Sequence, residues 1–126
     1  DMARGLLEGV AFSLRDCFRT IEEMGLPVRE FILIGGGAKS ALWGQIVSDV
    51  FNLPLKVPSG TDASFGSALL AGVGAGMFPG VREAVLKCVR TERELTPDPE
   101  RAEFYAGRFG LYRQVHDALA AVYHKF

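Results

Sequence analysis

Cysteine, histidine and tryptophan are scarce in this chain of 126 residues, which holds two, two and one of them. Cys17 and Cys88 sit far apart in helix-like patterns. They read as two buried thiols in a reducing compartment rather than a disulfide framework. His116 and His124 have no cysteine or second histidine at ligand spacing, so no metal site is expected. Neither sign of charge is in excess: 14 basic residues against 15 acidic ones leave a net −1, which excludes a nucleic-acid surface and an acidic tail. No stretch approaches the roughly 18 uninterrupted apolar residues of a membrane helix. The opening DMARGLLEGV carries charges where a signal peptide would be apolar. Internal repeats and low-complexity tracts are absent. The expectation is a cytoplasmic protein without nucleic-acid or membrane partners.

What is present is a hydrophobic fraction of 48%, enough for a core, arranged in helical and short extended patterns. Leu7, Val10, Leu14, Cys17, Ile21 and Met24 recur at steps of three and four, which predicts a helix over 2–24 stopped by Gly25 and Pro27. EFILI, residues 30–34, reads as a strand buried on both faces. Ser40 is placed to cap a helix running to about Phe51, with Leu42, Ile46 and Val50 on one face and Trp43 and Val47 beside them. LKV, 55–57, is a second strand, followed by a loop in which Asp62 or Thr61 caps the next helix. That helix, 63–78, carries Gly66, Gly72, Gly74 and Gly76. An interior glycine costs about 1 kcal/mol relative to alanine, so close packing against another backbone is expected, unless Gly74 and Gly76 only mark the helix end. A short helix over 81–89 and a polar connector or ragged strand, RTERELTPDPE, come next. Asp98 and Pro99 open a long final helix with Tyr105, Tyr112 and Leu119 at intervals of seven and Phe109, Val115 and Val122 alongside. Two short strands make no self-sufficient sheet, so the chain reads as the C-terminal piece of a longer protein.

Gly35, Gly36 and Gly37 stand side by side between the first strand and the Ser40 helix. Strand, glycine turn and helix N-terminus together favour an anion, through unpaired N–H groups and the helix dipole. Without side chains, the turn lets a phosphate or a flat ring touch the backbone. A tight turn with no ligand satisfies the same pattern. Two phosphate-binding fingerprints fail here. A Walker A loop would need glycine where Ala38 and Leu33 stand, and G-x-G-x-x-G is broken by Ser40 at its third glycine.

LIGGGAKSALWGQIVSDVFNLPL resembles the adenosine motif of the FGGY carbohydrate kinases, members of the sugar kinase, actin and heat-shock ATPase superfamily. ARGLLEGVAFSLRDCF is similar to the helix before that motif in xylulokinase-like members. DASFGSALLAGVGAGMF is similar to the small-residue helix after it, with Phe65-Gly66-Ser67-Ala68 at its core. ELTPDPERAEFYAGRFGLYRQV extends the likeness more loosely. The resemblance implies an α/β fold, the C-terminal part of an RNase H-like domain of the actin and hexokinase ATPase type. In such kinases ATP lies in a cleft between two domains. Gly36 and Gly37 would then meet the nucleotide through their backbone, and Ser40 would stand near the adenine. Lys39 would contact phosphate or simply be solvated, and Gln45 would hold the turn. Trp43 is expected in the core rather than stacked on adenine. Asp49 is expected to fix its helix or lie on the surface, not to bind metal.

The same resemblance places the phosphate loop, sugar pocket and catalytic base in a first domain. No Asp-Gly-Thr occurs in this chain, Asp62 has nothing to support it as a base, and no catalytic residue is assigned. The implied complete protein is a kinase that uses ATP and Mg2+ on a ketopentose such as D-xylulose, with this part inactive alone. The alternative is a non-catalytic nucleotide-binding or self-association module of the same fold. A homodimer is expected on either reading, from apolar surface left bare.

Overall fold

The computed structural model describes residues 2–60, 62–123 and 125. Thr61 and His124 lie outside the described residues, so the capping expectation at Thr61 and the reading of His124 find no description there. The chain runs α1 (Met2–Glu23), β1 (Phe31–Ile32), a 3-10 turn (Gly36–Lys39), α2 (Ala41–Phe51), β2 (Leu55–Pro58), α3 (Ala63–Gly74), α4 (Val81–Cys88), β3 (Thr91–Leu95) and α5 (Pro99–Tyr123). The sheet order is β1-β2-β3. β1 lies parallel to β2, with Phe31 opposite Leu55, and β2 runs antiparallel to β3, with Leu55 opposite Leu95. No described helix is long and apolar enough to cross a membrane.

Helix α2 is the hub because its apolar residues leave almost no polar face. Ile46, Val47, Ser48, Asp49, Val50 and Phe51 are all buried. One side meets α1, the other meets α5, and Leu55 and Val57 of β2 complete the cluster. Phe18, Phe31 and Phe51 meet edge-on or tilted, with ring centroids 4.8–5.5 Å apart, a geometry in which ring edges meet ring faces favourably. The Arg15 guanidinium covers them, 5.5 Å from the Phe18 centroid and 5.9 Å from that of Phe51.

Two polar clusters lock the helices. Tyr105, buried on α5, donates to Glu8 Oε1 at 2.8 Å and accepts from Arg4 Nη2 at 3.0 Å, tying α5 to α1. Asp49, 2% exposed, accepts from Gln45 Nε2 at 2.7 Å and from the Asp98 N–H at 2.9 Å, with Arg101 Nε 3.4 Å from its second oxygen. Asp98 itself caps α5 through the Arg101 N–H at 3.1 Å.

Several expectations change. The stripe Val10, Leu14, Ile21 and Met24 faces outward in this chain (39–69% exposed), and α1 buries Ala11, Phe12 and Phe18 instead. α1 carries apolar side chains around more than one face, and α2 and α5 occupy the phenylalanine side. Cys17 lies on the outward stripe and is exposed, and Cys88 is half-buried, so neither is a buried thiol. β1 is shorter than 30–34. Ile32 and Ile34 are 65% and 64% exposed rather than buried, because β1 is a sheet edge and no described element covers that face. Of the two readings of RTERELTPDPE, connector or ragged strand, the strand holds: Thr91–Leu95 is β3. Helix α3 stops at Gly74, and Gly76 at φ 76° confirms the end-marking role of the last two glycines. Its glycines meet no backbone: nothing lies within 4 Å of a Cβ at Gly66 or Gly74, and Gly72 makes room for the Phe78 ring. α3 and α4 pack chiefly on each other, burying only Gly72 and Ala84. α5 packs through Ala102, Tyr105, Phe109 and Tyr112, while Val115 and Val122 are exposed.

Replacing Asp49 with Ala removes the acceptor of the Asp98 N–H and the partner of Arg101 and leaves a gap at a buried position, so Asp49→Ala is expected to cost about 2–3 kcal/mol in urea unfolding. Burial alone would raise the pKa of Glu8, but the hydrogen bonds from Arg4 and Tyr105 outweigh it and hold the carboxyl below the ordinary glutamate range. A depressed carboxylate stabilises the fold above its unfolded pKa, about 4.3, and that contribution is lost as pH falls through the folded value. Between pH 5 and pH 3, roughly the window set by that value, the unmutated chain should therefore lose more stability than Glu8→Gln. Equal acid slopes in the two would refute the assignment.

Candidate functional site

The site grows from the end of β1. The Leu33 N–H donates to the Lys56 carbonyl at 2.9 Å, the last tie to the sheet before the chain turns. Gly35 then adopts φ 81°, ψ −170°, a conformation open essentially to glycine alone. It swings the chain into the 3-10 turn, where the Ala38 N–H donates to the Gly35 carbonyl and the Ser40 N–H to the Gly37 carbonyl, both at 3.1 Å. Ser40 caps α2 as expected, its Oγ accepting from the Trp43 N–H at 3.2 Å. The other N–H groups of the first helical turn have no intrahelical acceptor by construction.

The turn has an inner and an outer side. Ala38 is 1% exposed and plugs into the core, whereas Gly36, Gly37, Lys39 and Ser40 are exposed. Trp43 is half-buried and packs on the core, as expected. Its ring also fills the space a Gly37 side chain would need, with Cδ1 and Nε1 both 3.1 Å from an added Cβ. Nothing stands within 4 Å of a Cβ added at Gly36. Part of the glycine requirement is therefore met inside the chain by Trp43, and the outer backbone at Gly36 is left open.

Beside the turn lies a cavity of about 450 Å³ lined by Ala38, Lys39, Val57, Gly60, Glu92 and Arg93. It brings Lys39 together with two β3 residues, Glu92 and Arg93, that sequence reasoning did not connect with the turn. Arg93 Nη2 donates to the Ala38 carbonyl, so β3 bonds directly to the turn. The β2–β3 register slips here: Val57 faces Arg93 but Pro58 faces Thr91, leaving Glu92 as an extra residue. Neighbouring residues of a regular strand point to opposite faces, and a bulge re-aims them, so both Glu92 and Arg93 line one cavity.

The remaining candidates are structural in position. Both described bonds of Gln45 are internal, to Asp49 and to the Thr96 carbonyl at 2.9 Å, joining α2 to the segment after β3. Asp49 fixes its helix, and its burial rules out the surface alternative. Asp62 caps α3, accepting from Ser64 Oγ at 2.7 Å and the Phe65 N–H at 2.9 Å. Ser64 first and then Phe65 hold its carboxyl below the usual carboxylate range. Among the described residues, no three acidic, histidine or cysteine side chains are grouped to hold a metal ion.

A family model described as "FGGY family of carbohydrate kinases, C-terminal domain" matches residues 1–75. An autoinducer-2 kinase of Enterobacter sp. strain 638 is 41% identical over 93 residues, which is 73% of this chain and 18% of that protein. A xylulose kinase of Staphylococcus epidermidis is 30% identical over 117 residues, 92% of this chain and 24% of that protein. The structure of ligand-bound xylulose kinase from Lactobacillus acidophilus superposes with a TM-score of 0.88 at 27% identity, covering 99% of this chain and 26% of that one. The chain thus spans about a quarter or less of the relatives it matches.

Gly35→Ala is expected to cost about 1–3 kcal/mol in denaturant unfolding, because φ 81° with extended ψ strains any L side chain. Gly36→Ala should leave stability within about 0.5 kcal/mol. Equal costs at the two positions would contradict this division of the turn.

Proposed function

This chain belongs to the FGGY family of carbohydrate kinases, and from that membership we propose that it is the C-terminal nucleotide-binding portion of an ATP-dependent kinase, residues 1–126 forming part of one domain. In the complete cytoplasmic protein the γ-phosphoryl group of Mg-ATP passes to a hydroxyl of a ketopentose, most simply D-xylulose, giving the sugar phosphate and ADP. The observation that carries the reading is the open outer face of the turn at Gly36, beside the α2 N-terminus and Lys39. A nucleotide can approach that backbone without displacing a side chain.

The roles follow from position. Gly36 and Gly37 present bare main chain to the adenosine end and first phosphate. The helix N-terminus favours negative charge there. Lys39, exposed on the turn, supplies a mobile cation. Ser40 lies near the adenine and keeps its hydroxyl on the cap. Gln45 acts from behind by holding α2 to the segment after β3. No Mg2+ ligand is assigned in this chain; the ion would ride on the phosphates. Phosphoryl transfer requires groups on both sides of the phosphate chain, so this part alone is assigned binding and not turnover. The likeness to a xylulose kinase over 92% of the chain supports the pentose, and the autoinducer-2 kinase marks the substrate to be tested against it.

A second reading, a self-associating module, draws on one observation. Val10, Leu14, Ile21, Ile32 and Ile34 are exposed together with the free edge of β1. Such a surface favours association.

ADP should raise the melting midpoint of the unmutated chain, since a ligand of the folded state alone shifts unfolding. Gly36→Ala, which leaves the fold intact, should abolish most of that shift. A midpoint unmoved by millimolar ADP would sink the nucleotide reading. Light scattering should find a dimer that Ile32→Lys dissociates; a monomer at high concentration would count against the second reading.

A further inference from the structure

We propose that Arg93 is a positioning residue for the glycine turn: from β3 it holds the Ala38 carbonyl and so sets how Gly36 and Gly37 face an incoming nucleotide. The claim rests on the nucleotide-binding reading above and names a residue outside its motif.

The turn needs an anchor from elsewhere. Gly36 and Gly37 have no side chains of their own to fix them, and their outer side is open. Ala38 is seated in the core by a single methyl group, and its carbonyl must still be satisfied. Among the described residues, the side-chain bond reaching the turn from another strand or helix is the one from Arg93 Nη2 to that carbonyl. Its donor belongs to a rigid element, because β3 is paired with β2 through Val57 and Lys56. The bulge at Glu92 turns this stretch of β3 toward the cavity beside Lys39. A planar guanidinium can place one N–H on a carbonyl while its other donors point elsewhere.

Arg93 is not an obvious stabiliser of the fold. Its Nε is shielded from solvent and has no hydrogen-bond partner among the described residues. A shielded donor left unpaired is unfavourable, and an apolar side chain of similar length would remove that penalty. The two roles of the arginine therefore separate. Loss of turn geometry should weaken nucleotide binding, while overall stability should change little, because relief at Nε opposes the loss of the donor to the Ala38 carbonyl.

The test compares the unmutated chain with Arg93→Met and Arg93→Lys. The conformation of the turn is read from the Gly36 and Gly37 amide signals and from the emission of Trp43, the sole tryptophan, whose ring lies against Gly37. Affinity is read by calorimetry with ADP and with adenosine. Arg93→Met is expected to shift both turn signals, to move the melting midpoint little, and to weaken ADP and adenosine alike, each about tenfold. Arg93→Lys should recover part of that loss. Turn signals identical to the unmutated chain would overturn the proposal, as would altered signals with unchanged ADP affinity. A loss confined to ADP would also overturn it, since it would make Arg93 a phosphate contact. If Arg93→Met fails to fold, Arg93→Gln carries the same comparison. An unmutated chain that takes up no ADP defeats the nucleotide reading and this one together, whereas equal binding by the unmutated and Met chains defeats this one alone.

Discussion

The buried carboxylate of Asp49 is the constraint on which the rest of the molecule depends. It sits on the one helix that touches nearly everything else, and its acceptors are satisfied from two directions. Gln45 lies one turn back on α2, and the Asp98 N–H lies at the start of α5. A charge this deep is tolerable only when its oxygens are filled, so α5 has little choice of where to begin. Asp98 then caps that helix, and Tyr105, two turns on, reaches α1. A carboxylate within the motif helix therefore fixes the placement of a helix whose capping residue lies 49 residues later.

The glycine turn hangs from the same framework at both ends. Leu33 ties its entry to β2, Ser40 and Trp43 start α2, and Ala38 plugs into the core that α2 dominates. The outer surface of the turn can be bare because its inner surface is so fully engaged. Trp43 occupies the space beside Gly37 and leaves Gly36 unobstructed. Adjacent glycines thus answer to different demands, one to packing within the chain and one to access from outside.

Much of this was legible in the residues. Helix α2 announced itself through Ser40 and its apolar run, α5 through Asp98 and Pro99, and the glycine turn through three residues that side-chain packing seldom requires together. What stayed hidden depends on partners far away in the chain. The period of Val10, Leu14 and Ile21 correctly indicated a helix but not which face it buries, since Phe12 and Phe18 lie on another stripe and α2 and α5 met that one. Ile32 and Ile34 look like core residues of a wide sheet and lie at an edge instead. Arg93 could not be found from TEREL, because a bulge has no local signature in so short and largely polar a stretch and its acceptor lies fifty-five residues away.

The pairing of α3 with α4 has a kinetic consequence. Each buries one small residue, and neither shares the aromatic cluster that holds the other helices. Opening this hairpin exposes little apolar surface, whereas opening α2 dismantles the whole core. Backbone amides in 63–88 should then exchange with solvent deuterium well ahead of those in 44–51. The molecule would shed its glycine-rich hairpin as one unit while the remainder is still native.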